Sequence, residues 1–387
     1  MSERTLLLAI CLLLWTLPHV VSALPAQLNV PGVVIDHLPA GSGLFIGSPS
    51  LVILTGGDYV ASHDDFGPHS SLNRTIIFRS HDRGQTWKRE AEIAGQYWST
   101  LFVHQQTLYL LGTSREYGSI VIRRSNDGGQ TWTTPSDDRT GLLLSDGQYH
   151  CAPGPVTLHA GRLWRAFERR EPQTGWAEHF SALMLSVPGG ADLLDARQWR
   201  ASAPLHCDAM WNMHGWLEGN AVFSPSGEMI DILRTGDTIP EKAALVTVSP
   251  DGRQLQFAPD TGQILFPGGC KKFTIRFDPV SHRYWSLSND APMPYPGIAA
   301  GNIRNTLTLI SSPDLKTWKV CSVALHHPDP QRHGFQYADW QFDGEDIVFV
   351  ARTAFDDGIG GAHSAHDANY LTFHRLSHFR VLSPDSP

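Results

Sequence analysis

The chain has few cysteines, no excess of positive charge and only one long apolar run near its start, and each scarcity narrows what it can be. Of five cysteines in 387 residues, Cys11 lies in that run, leaving Cys151, Cys207, Cys270 and Cys321. No Cys-x-x-Cys pair occurs, which excludes a zinc ribbon or a thioredoxin-type redox motif. Lysine and arginine total 30 against 38 aspartate and glutamate, a formal net charge of −8. A nucleic-acid partner would need a basic footprint, so none is expected. A polyanionic substrate fits only if cations gather in one pocket. The apolar run Leu6 to Leu14 follows Arg4 and precedes the small residues Val21-Ser22-Ala23. That is the pattern of a secretory signal, too short to span a bilayer. Residues 1–23 are therefore expected to be removed. Residues 24–387 are expected to fold as one domain, secreted or periplasmic, monomeric, with no membrane contact after cleavage. Oxidising surroundings permit one or two disulfides, with pairing left open.

What the chain has in abundance is punctuation and repetition. Its 35 glycines and 26 prolines are spread along the length, which suits many turns and few long helices. Short alternating runs recur between them, such as Leu51-Val52-Ile53-Leu54 and Leu108-Tyr109-Leu110-Leu111. One phrase stands out: Ser80-His81-Asp82-Arg83-Gly84-Gln85-Thr86-Trp87, repeated as Ser125-Asn126-Asp127-Gly128-Gly129-Gln130-Thr131-Trp132. Worn copies follow at Ser312-Pro313-Asp314-Leu315-Lys316-Thr317-Trp318 and Ser249-Pro250-Asp251-Gly252. Repeats at this spacing mean stacked similar units. In the two full copies, Asp and Gly favour a tight turn and Trp starts the returning strand. The aromatics Trp87, Trp132, Trp199, Phe257 and Trp318 mark five outer strands, and Tyr370-Leu371-Thr372-Phe373 can close a sixth unit beside an N-terminal strand.

The phrase resembles the Asp box (BNR repeat) of the sialidase superfamily. The resemblance implies an all-β, six-bladed β-propeller with four-stranded antiparallel blades and Asp-box turns remote from the active site. It also implies a site on the propeller axis, built from scattered loops. Loops rich in His, Asp, Trp and Arg supply candidates: His63, His150, Trp211, His214, Asp339 and His366 as substrate-binding groups. Aromatic rings beside carboxylates and imidazoles suit a sugar, whose apolar face stacks while its hydroxyls hydrogen-bond.

Carried over residue by residue, the family's glutamate-to-arginine hairpin matches Glu218 and Arg234, and its third-arginine strand matches Arg304. The family's first arginine falls on Gly47-Ser48-Pro49 and finds no match. Its tyrosine position carries Phe335, with Tyr337 two residues on and so on the same strand face. Its acid/base position falls near His69-Ser70-Ser71, with Asp64 earlier. The resemblance thus implies a glycoside hydrolase acting on a terminal acidic, sialic-like sugar. Tyr337 and Glu218 would form the nucleophile pair and Asp64 the acid/base, with Arg234 and Arg304 holding the anion. A uronate lyase working through His63, His150 or His214 with Tyr337 is the alternative, and a non-catalytic glycan-binding propeller is the third reading. A glycan is the expected partner. No cofactor or metal is implied: His363, His366 and Asp367, like Asp356-Asp357-Gly358, read as hydrogen-bonded loops. Asn73-Arg74-Thr75 is a glycosylation sequon.

Overall fold

The computed structural model describes residues 30–171, 180–211, 213, 215–237, 239–291 and 295–383. Residues 1–23, expected to be a secretory signal, lie outside them. Six antiparallel sheets are arranged as the blades of a propeller. In blades 2, 4 and 5 four strands follow one another along the chain. In blades 1 and 3 the first strand is split into two pieces that pair with the same neighbour, Phe45–Ile46 with Ser50–Ile53 and Gln148–His150 with Thr157–His159. Blade 6 takes three strands from the C-terminal region, Gly334–Asp343, Asp346–Ala354 and Tyr370–Leu376. Its fourth is Val33–His37, paired antiparallel with Tyr370–Leu376. The ring is closed by joining strands from the two ends of the chain in one blade.

Alternation in the strands sends apolar side chains to both faces of each blade, because both faces meet a neighbour. Each of the six interfaces has its own core. Val52, Val60 and Ile77 meet Leu101, Leu108 and Leu110 between blades 1 and 2. Ile46, Leu51 and Ile76 meet Val348, Val350 and Leu371 between blades 6 and 1. Phe102 and Leu111 face Phe167 and Leu183, Trp164 and Met184 face Ala221 and Leu233, Ile230 and Ile232 face Ile275 and Ile310, and Trp285 and Leu309 face Phe335 and Trp340.

The repeated phrase forms the turn between third and fourth strands. Asp82 accepts hydrogen bonds from the Thr86 N–H at 2.9 Å and the Thr86 hydroxyl at 2.6 Å. Asp127 does the same for Thr131, and these bonds hold both carboxyls down at about 2. The Trp87, Trp132 and Trp318 indoles each donate to a main-chain carbonyl three residues back. Trp87 then packs on Phe373 of blade 6, filling the space between blades. In the shortened copy Leu315 takes the left-handed φ of +67° that glycine supplies elsewhere. The four remaining cysteines carry free thiols, and none of the disulfides that oxidising surroundings would permit is present.

Candidate active site

The cavity opens at the end of the axis where the first strands begin, away from the Asp-box turns. It holds about 520 Å³, within the range of small-molecule sites, and Asp64, Trp98, Glu116, His150, Glu218, Arg234, Arg304, Tyr337, Arg352 and His366 are among its walls.

Blades 2, 4 and 6 build it with one device. Their first strands each carry a bulge near the start, between Tyr97 and Thr100, Leu217 and Asn220, and Gln336 and Asp339. At each bulge one non-glycine residue takes a positive φ: Trp98 (+49°), Glu218 (+56°) and Tyr337 (+56°). A bulge re-aims a side chain that regular pleating would bury in the blade. The residue before each bulged position is paired with the end of the second strand. Leu217 faces Arg234, and Gln336 faces Arg352. Blades 4 and 6 thus each deliver a reactive group and an arginine together.

The two reactive groups meet. The Tyr337 hydroxyl donates to Glu218 Oε1 at 2.6 Å, and Arg234 donates to Glu218 Oε2 at 3.1 Å. Burial pushes the Glu218 carboxyl up, but Arg234 and the Tyr337 hydroxyl outweigh it and hold the group below the usual carboxylate range. Burial and the Glu218 charge raise the Tyr337 phenol, against the pull of Arg234, Arg304 and Arg352. The phenol therefore rests protonated, with its proton already directed at a base.

Arg304 and Arg352 are buried, 4% exposed each. Arg304 donates to Gln336 Oε1 at 2.6 Å and Arg352 to the His366 carbonyl at 2.6 Å, both neutral acceptors. Neither pairs with a carboxylate among the described residues, and the Nε of each has no hydrogen-bond partner. The Arg352 guanidinium lies 4.6 Å from the Tyr337 ring centre and 4.7 Å from that of Phe66. Burial and the neighbouring guanidiniums bring Arg304 down to about 10, and burial lowers Arg352 as well. Buried cations without counter-charge are costly, and an anionic ligand would relieve them.

Asp64 sits on the other side, 1% exposed, between blades 1 and 2. It accepts from the Trp98 N–H at 2.6 Å and from the Ser48 N–H. Burial is the larger influence and lifts its carboxyl to about 7. Gly47 explains the missing first arginine. A Cβ at that position would collide with the Asp64 carboxylate. The space where a side chain at position 47 would begin is filled by Asp64.

No family model matches the chain, and no curated protein matches it. Solved structures do. It is similar to the alpha-L-arabinanase of Penicillium chrysogenum, complexed with arabinobiose (15% identity, 90% of this chain, 98% of that chain, TM-score 0.55). It is similar to the GH93 alpha-L-arabinofuranosidase of Fusarium graminearum (12% identity, 89% and 96% covered, TM-score 0.55). Trypanosoma rangeli sialidase gives 13% identity and a TM-score of 0.57 over 87% of this chain and 55% of that one. The chain has the sialidase-like six-bladed propeller fold.

Of the residues expected from sequence, Tyr337, Glu218, Asp64, Arg234, Arg304, His150 and His366 line the cavity. His150 is held by Glu168, with Nδ1 to Oε2 at 2.7 Å. His366 is paired with Asp367 at 2.7 Å, and burial followed by Arg352 depresses it to about 4. Four expectations are corrected. His63 is fully buried inside blade 1, between Asp36 at 2.9 Å and the Asp64 carbonyl at 2.8 Å, and does not reach the cavity. Trp211 packs on Trp216 and Phe257. Asp339 accepts from the Ser50 hydroxyl and the Leu51 N–H and faces Arg276, tying blade 6 to its neighbours. His214 lies outside the described residues. Phe335 and Tyr337 do not share a face either: Phe335 enters the blade 5–6 core, and the intervening bulge turns Tyr337 to the cavity. His363 and His366 both bond Asp367, and Asp357 accepts the Ile359 and Gly361 N–H groups, so these segments are hydrogen-bonded loops. Sequence reasoning missed Arg352, Glu168, Trp98 and Glu116. For Arg352 a signal existed: like Leu233-Arg234, Ala351-Arg352 ends an apolar run belonging to a second strand.

Proposed function

We propose that this chain is a glycoside hydrolase that removes a terminal sugar bearing a carboxylate. The observation that carries the reading is the Tyr337–Glu218 pair at 2.6 Å beside two buried guanidiniums, Arg304 and Arg352, that have no carboxylate partner among the described residues. In this reading Arg304, Arg352 and Arg234 hold the sugar carboxylate. Glu218 takes the phenolic proton as Tyr337 attacks the anomeric carbon. A neutral phenol approaches an anionic sugar without the repulsion a carboxylate nucleophile would meet. Asp64, protonated near neutrality, gives its proton to the departing oxygen and then activates the water that releases the sugar. The neighbouring arabinanase, arabinofuranosidase and sialidase support glycoside hydrolysis as the reaction class. The leader pattern at Leu6 to Leu14 supports export.

Mass spectrometry of products from sialylated, uronate-containing and arabinose-containing oligosaccharides tests this. Fragments heavier by one water, with ¹⁸O from labelled solvent on the acidic monosaccharide, are the expected result. An unsaturated product whose fragments sum to the substrate mass would replace hydrolysis by elimination, with His150 and its Glu168 partner as the base. Release of arabinose alone would remove the anionic substrate from the reading.

A further inference from the structure

The chain has a formal net charge of −8, yet four guanidiniums gather in one surface pocket at the end of the propeller opposite the axial cavity. Topology brings them there. In an antiparallel blade the second strand begins, the third ends and the fourth begins at the end away from the start of the first. In blade 3 those three positions are Arg162, Pro188 and Arg200. Arg197 comes from the short turn Ala196–Gln198 before the fourth strand. Arg253 comes from blade 4, just after the turn Ser249-Pro250-Asp251-Gly252 between its third and fourth strands. With Trp199 they line a hollow of about 430 Å³.

The charges of these groups are only partly met. Arg197 donates twice to Asp195, each bond 2.7 Å. Arg253 Nε lies 3.5 Å from Asp251 Oδ2. Arg162 and Arg200 have neutral acceptors instead: Arg162 donates to the Ser186 hydroxyl at 2.9 Å, and Arg200 to the Asp251 carbonyl. Neither forms an ion pair with a carboxylate among the described residues, and the buried Arg162 Nε has no hydrogen-bond partner. Burial, and then the nearby Arg200 charge, lower Arg162. Four cations thus meet two carboxylates, and an oxoanion between the free forks would relieve their repulsion. The half-buried Trp199 indole is fixed by donating Nε1 to the Leu193 carbonyl at 2.9 Å, and it forms part of the same wall. An aromatic ring beside cations suits a sugar that carries an anionic group. A nucleic acid would need a longer basic track than one pocket on an acidic chain.

We propose that this pocket is a second glycan-binding site, which holds a sugar bearing a sulfate ester or a carboxylate within a polyanionic glycan chain. It is separate from the axial cavity and does not depend on the hydrolase reading, because binding alone reveals it.

Calorimetry on the full chain tests it, with a sulfated oligosaccharide, an unsulfated polyuronate oligosaccharide, sodium sulfate and a short single-stranded DNA. Arg200→Gln and Arg253→Gln are made in the wild type and in Arg352→Gln, where binding of anions in the axial cavity is weakened. The Arg352→Gln protein should still bind an acidic oligosaccharide, more weakly as salt is raised. Adding Arg200→Gln or Arg253→Gln should weaken that binding about tenfold or more. Binding of the sulfated chain alone assigns the sulfate ester, and binding of the polyuronate assigns the carboxylate. The Arg253 side chain is 63% exposed, so its replacement leaves packing intact and decides the matter should Arg200→Gln melt early. Unchanged affinity in both variants, or loss of all binding in Arg352→Gln alone, would overturn the proposal. So would equal affinity for sodium sulfate, which means an anion site without a sugar, or for DNA, which means attraction by charge alone.

Discussion

Tyr337 and Glu218 are 119 residues apart in the chain and 2.6 Å apart in space. The contact exists because blades 4 and 6 both break their first strand at the same place and turn one residue out of the pleat. Neither residue would reach the other from a regular strand. The strain of two positive-φ residues, of order 1–3 kcal/mol each, is tolerated because the surrounding blades over-determine their position.

If this contact drives the reaction, Tyr337→Phe and Glu218→Gln should each lower kcat by about a hundredfold or more on any substrate turned over. Both substitutions keep shape, so thermal melting should show a folded protein. Steady-state kinetics beside a melting curve checks this; near-wild-type kcat in Tyr337→Phe would contradict it.

Asp64 predicts a pH profile. Its carboxyl titrates at about 7, and it acts as the acid only when protonated. Glu218, held low, stays ionised throughout. The rate kcat/KM should therefore fall as pH rises through about 7, and Asp64→Asn should remove that limb together with most activity. Stability carries the same signature. The unfolded carboxyl loses its proton near 3.8, while the native one keeps it to about 7. The contribution of Asp64 is full below about 4 and lost as pH rises through 7. Denaturant melts of wild type and Asp64→Asn across that window should diverge as pH rises, the wild type losing more.

Gly47→Ala offers a separate test of the same carboxylate. The added methyl collides with Asp64, so activity should fall nearly as far as in Asp64→Asn, although position 47 has no chemistry of its own. Retained activity would mean that the position of Asp64 does not matter.

Much of the architecture was legible in the chain. The Asp boxes gave the repeat, and the closure by Tyr370 to Phe373 beside an N-terminal strand followed from the blade count taken together with the chain length and the family resemblance. The site was legible where a motif runs along one hairpin, as from Glu218 to Arg234. It was not legible where partners come from distant strands. His63 looked like a loop ligand, but Asp36, from the N-terminal strand that closes the ring, holds it inside. Arg352 ends an apolar run as Arg234 does, but what brings it to the cavity is its register opposite Gln336 and the bulge beside it. Tyr337 was reached through face arithmetic that the bulge makes invalid.

The Asp boxes should matter for stability alone. Trp318, 9% exposed and packed 4.7 Å from Phe266, closes the blade 4–5 core at the end away from the cavity. Trp318→Ala should cost about 3–5 kcal/mol in denaturant unfolding. The kcat of the molecules that remain folded should match wild type.

The central claim is that Tyr337 forms the covalent bond to the sugar. The direct measurement is intact-protein mass after incubation with 2,3-difluorinated acidic sugars, whose fluorines slow release of the intermediate, followed by peptide mapping. The account predicts one adduct, on Tyr337, absent in Tyr337→Phe. An adduct on Glu218 or Asp64, or turnover of acidic glycosides with no adduct under any condition, would contradict it.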